Sequence, residues 1–263
     1  MARKARWKVT SIAHGMAQVD LHSWDYFEPY IRKEMLDFRH FVWRGQASAD
    51  WLLEPTLDRL FKRMRKKSTE SLIEEHLERF KYSIRGRRGN NPPVLNEEND
   101  WWALGQHNGL STPLLDWTTS PFVAAFFAFE NHDSDGADKR AVFGISKSTM
   151  LLTSSNITKN WKDPKKPPIM QFHEPLSDEN ARLVSQGGLF SRTPPGIDVE
   201  EWVKQNFPAK DPYYRLIKIT IPNKDRSICL RSLNRMNINH LSLFPDLFGA
   251  GQFCNLDLLI DKY

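Results

Sequence analysis

Arg44 closes the apolar run His40-Phe-Val-Trp-Arg44, directly before Gly45-Gln46. An arginine at the end of a short buried strand can direct five donors into a cleft, where phosphate or carboxylate accepts them bidentately. It can equally be half of a buried structural ion pair, with Asp116 as the other half. A second set of polar groups, Gln106-His-Asn-Gly-Leu-Ser-Thr-Pro-Leu-Leu-Asp-Trp-Thr-Thr-Ser-Pro121, lies between two apolar segments. Burying such density requires every group to be paired, within the protein or to a ligand. His107 can hydrogen-bond a ribose hydroxyl, carry a proton, or sit satisfied in the core. Alternation puts Asp116 and Thr118 on one face and Trp117 on the other. Asp116 then anchors Arg44 or His107, and Trp117 is core or a stacking surface. In Ser185-Gln-Gly-Gly-Leu-Phe-Ser-Arg192, two glycines inside an apolar stretch signal a bulge or a backbone close to a ligand, with Gln186 placed to line that spot.

Other chemistries lack their usual supports. The sequence has no Gly-x-Gly-x-x-Gly, no Walker-type loop, no His-Glu-x-x-His and no Cys-x-x-Cys, the patterns of dehydrogenases, ordinary ATPases and zinc hydrolases. Asp133-Ser-Asp135 resembles the start of a calcium loop only superficially, because Gly-Ala-Asp-Lys follows in place of ordered acidic ligands. Cys229 and Cys254 lack ligand spacing and are too few to staple the chain, so both read as reduced thiols.

The elements that must position these residues follow from periodicity and punctuation. Ser23 can cap a helix whose Phe27, Ile31 and Met35 fall four apart, with Trp24 and Leu36 broadening the stripe. His40–Arg44 reads as a strand ending at Gly45. Ser71 and Glu74 form a capping box for a helix carrying Ile73, Leu77 and Phe80, and 85–96 is a surface loop. Trp101–Gly109 reads as a helix, Leu114–Thr118 as extended, and Ser120-Pro121 as a strong start for the wholly apolar helix Phe122–Phe129. Ala141–Ile145 is a central strand and Asn156–Pro168 a polar excursion. Ile169–Phe172, Leu183–Phe190 and Tyr213–Ile221 are extended, Ser227–Leu241 mostly helical, and Leu256–Ile260 a short strand or helix. Without an internal repeat or a low-complexity linker, one α+β domain over 1–263 is expected.

Composition agrees with a folded globular chain: of 263 residues, 40% are hydrophobic and 26% charged. No stretch approaches the roughly 18 apolar residues of a membrane span, and the basic start runs into Lys8 and His14 instead of an apolar signal core. A cytoplasmic protein without membrane partners is expected. The net charge of +5 permits a polyanionic partner. Basic runs at 62–67, 85–88 and 159–166 could neutralise phosphates or be solvated faces.

Several of these segments together resemble the FRG domain family. The likeness begins at Phe41-Val-Trp-Arg-Gly-Gln46, with Trp where the family has the Phe of Phe-Arg-Gly, and continues through Trp51-Leu-Leu-Glu-Pro-Thr-Leu57. It runs on through Gln106–Thr118 and Pro121–Ala128, then resumes at Gln186-Gly-Gly-Leu-Phe190 and Arg235–Leu247. It covers roughly Trp24 to Gly251. The family in turn resembles ADP-ribosyltransferases, implying a small mixed, split β-sheet core flanked by helices, with NAD as substrate and no metal.

By that resemblance Arg44 holds the phosphates or nicotinamide ribose of NAD, and His107 and Thr118 share the second motif beside the ribose. Gln186 stands where many transferases have a glutamate, with Glu200 or Glu201 as the alternative. Gln46, Gln106, Asp116 and Trp117 join Arg44 as residues expected around NAD. Such an enzyme needs phosphate anchoring, a restrained ribose and partial charge near an oxocarbenium-like state more than a strong base. The implied activity is that of a toxin in phage defence or a toxin–antitoxin pair, held silent by an antitoxin or inhibitory protein. It modifies a macromolecular acceptor, with the basic runs favouring RNA or DNA over protein. An NAD hydrolase and a catalytically silent nucleotide- or partner-binding module are the competing readings.

Overall fold

The computed structural model describes residues 6–11, 13–131, 137–175 and 181–263; the Asp133-Ser-Asp135 tripeptide lies outside them. Eight strands are β1 (Trp7–Ser11), β2 (Met16–Leu21), β3 (Phe41–Gln46), β4 (Leu115–Thr118), β5 (Lys139–Ser146), β6 (Gln171–His173), β7 (Gly188–Arg192) and β8 (Leu216–Pro222). The helices are α1 (Phe27–Tyr30), α2 (Thr56–Arg63), α3 (Glu70–Ser83), α4 (Glu98–His107), α5 (Pro121–Phe129), α6 (Lys147–Asn160), α7 (Ala181–Ser185), α8 (Val199–Asn206), α9 (Arg226–Arg235), α10 (His240–Leu243) and α11 (Leu247–Leu259).

The strands form one mixed sheet in the order β1-β2-β8-β5-β3-β4-β7-β6, antiparallel except where β2 meets β8. The expected α+β class and helix-flanked sheet are present. The sheet is continuous, yet almost divided: β3 pairs with β5 along all six of its residues but meets β4 at one pair, Trp43 with Thr118.

Alternation sorts the side chains into two layers. On one face Phe41, Trp43, Val142, Ile217 and Ile219 pack against α5, α9 and α11; on the other Val42, Phe143, Ile145 and Leu216 pack with Met150 of α6 and Trp202 of α8. A third cluster joins α2, α3 and α4 through Leu57, Ile73, Leu77 and Trp102. Helix α5 is central. Ser120 accepts from the Val123 amide at 3.3 Å, Pro121 occupies the first turn, and Ala124, Ala125, Phe126, Ala128 and Phe129 are fully buried. The helix lies so close to β3 that a Cβ at Gly45 would stand 1.9 Å from the Ala124 carbonyl oxygen.

Several boundaries differ from expectation. Ser23 does cap its turn, and Phe27, Ile31 and Met35 are buried, but Leu36 is 69% exposed. A π-helical turn at Ile31–Met35 advances the chain by an extra residue and rotates Leu36 off the stripe. Strand β3 runs on past Gly45 to Gln46. Thr69, not Ser71, caps α3 by accepting from the Leu72 amide. α6 extends through 156–160, where a polar excursion is expected, because Ser154 turns inward to bond Met170 at both its carbonyl and its amide. Leu183–Ser185 is helical, and Leu256–Leu259 belongs to α11. The β1–β2 hairpin and α8 lie outside the expected elements. Among the described residues no helix is long and apolar enough to cross a membrane.

Candidate active site

A cleft of about 340 Å³ opens where β3 and β4 part, lined by Trp43, Arg44, Asp116, Thr118, Phe127, Glu130, Gln186 and Phe244 among others. Its arginine is held by backbone. Arg44 Nη1 donates to the Asp116 carbonyl at 2.8 Å and lies 3.5 Å from the Asp116 carboxylate. Nε of Arg44 is buried without a partner among the described residues. Burial lowers the Arg44 pKa from its ordinary value, and the Asp116 charge opposes that shift. A cation so placed retains donors for an anion or a sugar hydroxyl.

Asp116 is itself fixed from behind. Gln106 Nε2 donates to its carboxylate at 2.6 Å, and Gln106 Oε1 accepts from the Thr112 hydroxyl. Gln106 therefore holds Asp116, and Asp116 holds Arg44. The second wall is a backbone clamp. The Thr118 hydroxyl donates to the Gln186 carbonyl at 2.6 Å and accepts from the Ser120 amide at 3.1 Å, so the hydroxyl is already occupied. Gly187 follows at φ +55°, and a Cβ there would lie 2.7 Å from the Thr119 hydroxyl, so the glycine serves a close approach to the end of β4. Gln186 lines the cleft, and its Nε2 donates to the Leu243 carbonyl at 3.1 Å, while its carboxamide oxygen has no partner among the described residues.

A second carboxylate of the cleft is Glu130, the residue immediately after α5. Its Oε2 lies 3.1 Å from His240 Nε2, and its side chain is 26% exposed. Two arginines hold the carbonyls at this end of α5: Arg140 donates to Ala128 and Asn131, and Arg226 to Phe129 and Glu130. Arg140 is fully buried, and burial pushes its pKa down to about 10. Such capping satisfies the free carbonyls of the helix end and fixes where Glu130 emerges.

Other expected residues lie elsewhere. His107 is exposed at the end of α4, outside the cleft lining, because the helix turns Gln106 inward. Gln46 is 4% exposed and donates to the Leu52 carbonyl at 3.0 Å, a structural contact away from the cleft. Trp117 is core, although it is among the residues that line the cleft: it is 3% exposed, packs in the second layer and donates from Nε1 to Ser191 at 2.7 Å. Glu200 and Glu201 are in the first turn of α8, outside the cleft lining, and burial raises the Glu200 pKa. Asp116 anchors Arg44 but not His107. Glu130 is absent from the sequence expectations because it follows a wholly apolar helix that gives no sign of opening onto a cleft.

Residues 39–137 match the FRG domain. Over that span, less than half of its length, the chain is similar to the FRG domain family. The matched span includes Arg44, Gln106, Asp116, Thr118 and Glu130, while Gln186 and Phe244 line the cleft from beyond it. It is narrower than the resemblance over 24–251. No curated protein and no solved structure matches the chain. Among the described residues no group of His, Cys, Asp and Glu could hold a metal ion.

Proposed function

We propose that this protein is an ADP-ribosyltransferase that uses NAD as its donor. The observation that carries the reading is the pairing, in one cleft, of Arg44 with donors to spare and Glu130 held by His240. At about 340 Å³ the cleft is at the small end of ligand sites, roughly 300–1,000 Å³, and suits one nucleoside half of a dinucleotide. The free donors of Arg44 fit a phosphate or a ribose oxygen, and Gln186 Oε1 can accept from a ribose hydroxyl. Trp43, Phe127 and Phe244 supply apolar walls that exclude water.

In the reaction the C1′–N bond to nicotinamide breaks, its electron pair leaves with nicotinamide, and a lone pair of the acceptor forms the new bond at C1′. Glu130 places negative charge beside the developing positive centre and takes the proton that the acceptor releases. Gln186 orients the sugar in this scheme, so no carboxylate is needed at that position. A role as a toxin in phage defence or a toxin–antitoxin pair, kept silent by an inhibitory protein, is supported by the family resemblance.

The test is incubation with NAD labelled in its ADP-ribose half, in the presence of cell extract. Transfer predicts nicotinamide release with label retained on a macromolecule. Free ADP-ribose as the sole product would make the protein an NAD hydrolase, and an absence of nicotinamide release would leave a binding module.

A further inference from the structure

A second cavity of about 530 Å³ adjoins the cleft, and Glu130 and Phe244 line both. Its walls suit a planar heterocycle. Phe244 and Phe248 meet edge to face with centroids 5.9 Å apart, and the Arg182 guanidinium lies over both rings at 5.5 and 5.2 Å. Asp246 locks that guanidinium at 2.6 Å, while Phe248 remains 53% exposed. Aromatic rings and a fixed guanidinium plane form a ledge on which an unpaired base can stack.

The polar groups add recognition. Gln252 and Asn255 lie three residues apart on α11, hence on one side of it, and neither carboxamide has a partner among the described residues. A carboxamide presents a donor beside an acceptor, the pattern that reads a base edge. Arg226 is bonded only to the Phe129 and Glu130 carbonyls, so its charge lacks a carboxylate partner among the described residues and suits a phosphate. His240, 6% exposed, lines the same cavity with its Nδ1 buried and unpartnered.

We propose that this cavity is the acceptor subsite and takes one unpaired base of a single-stranded nucleic acid, bringing the group to be modified beside Glu130. The name acceptor rests on the transferase reading; the binding of a base does not. A duplex cannot deliver a base into a cavity without unstacking it, so single strands are the matching form.

The test is fluorescence anisotropy with a fluorescein-labelled single-stranded RNA, alongside calorimetric titration with NAD. Phe248→Ala and Asn255→Ala should each weaken RNA binding about tenfold, within the range set by loss of one base stack, while NAD affinity stays within about twofold. Leu258→Ala, on the same helix and 87% exposed, should change neither. RNA binding that is absent, or insensitive to both variants, overturns the subsite, as does NAD-derived label found on protein and resistant to nuclease. Phe248-dependent RNA binding without nicotinamide release would keep the base site and remove the transferase reading. Nicotinamide release with Phe248-independent RNA binding would do the reverse.

Discussion

Strand β3 has two antiparallel neighbours that hold it in opposite ways. Against β5 its ladder runs from Phe41 to Gln46, and the Trp43 ring lies across Gly144, where an added Cβ would stand 2.7 Å from a ring carbon. Against β4 the ladder is the single pair Trp43 with Thr118. β4 is secured from its far side, through four pairs with β7 and the Trp117–Ser191 bond. Where a ladder stops, main-chain groups need other partners, and Arg44 meets that need by donating to the Asp116 carbonyl. The cleft is therefore an interrupted strand pairing, bridged by a side chain that keeps spare donors.

The largest effect is expected at Trp117. Its replacement by Ala removes a buried side chain and a hydrogen bond on the β7 side, and should destabilise the fold by about 3–5 kcal/mol in urea melts. A stable Trp117→Ala with lost activity would instead assign the ring to the ligand. On the well-paired side, Gly45→Ala forces a methyl against the α5 backbone and should cost about 3 kcal/mol in the same melts. Thr118→Val severs the clamp to Gln186 and Ser120, at about 1–3 kcal/mol, and should lower NAD turnover by loosening the second wall. The smallest effect is expected of His107→Ala: within about 0.5 kcal/mol of the parent in melts, and within about twofold in turnover, since the ring is exposed and outside the cleft.

Much of this architecture was legible in local signals. Ser120-Pro121 and the apolar run after it marked α5, and the isolated Arg44 at the end of an apolar strand marked the cleft. Gln186, more than 60 residues beyond Thr118, was found because paired glycines betray a close backbone approach. His107 was misplaced because a polar cluster does not say which neighbour a helix turns inward; α4 ends so that Gln106 faces Asp116. Glu130 and His240 were unreadable because their pairing spans 110 residues and depends on two arginines capping the end of α5. The π turn that exposes Leu36 left no mark in a four-residue apolar spacing.

We propose that Arg44 and Glu130 act together on NAD in the gap between β3 and β4. Nicotinamide release by the parent protein and by Glu130→Gln, each checked by thermal melting and by NAD titration, tests it most directly. Glutamine keeps the size of the side chain and an oxygen for His240 while removing the charge. Release by Glu130→Gln should be at least about a hundredfold slower, with the fold intact and NAD affinity within about threefold. Release by Glu130→Gln at the parent rate, or none by the parent itself, would contradict it.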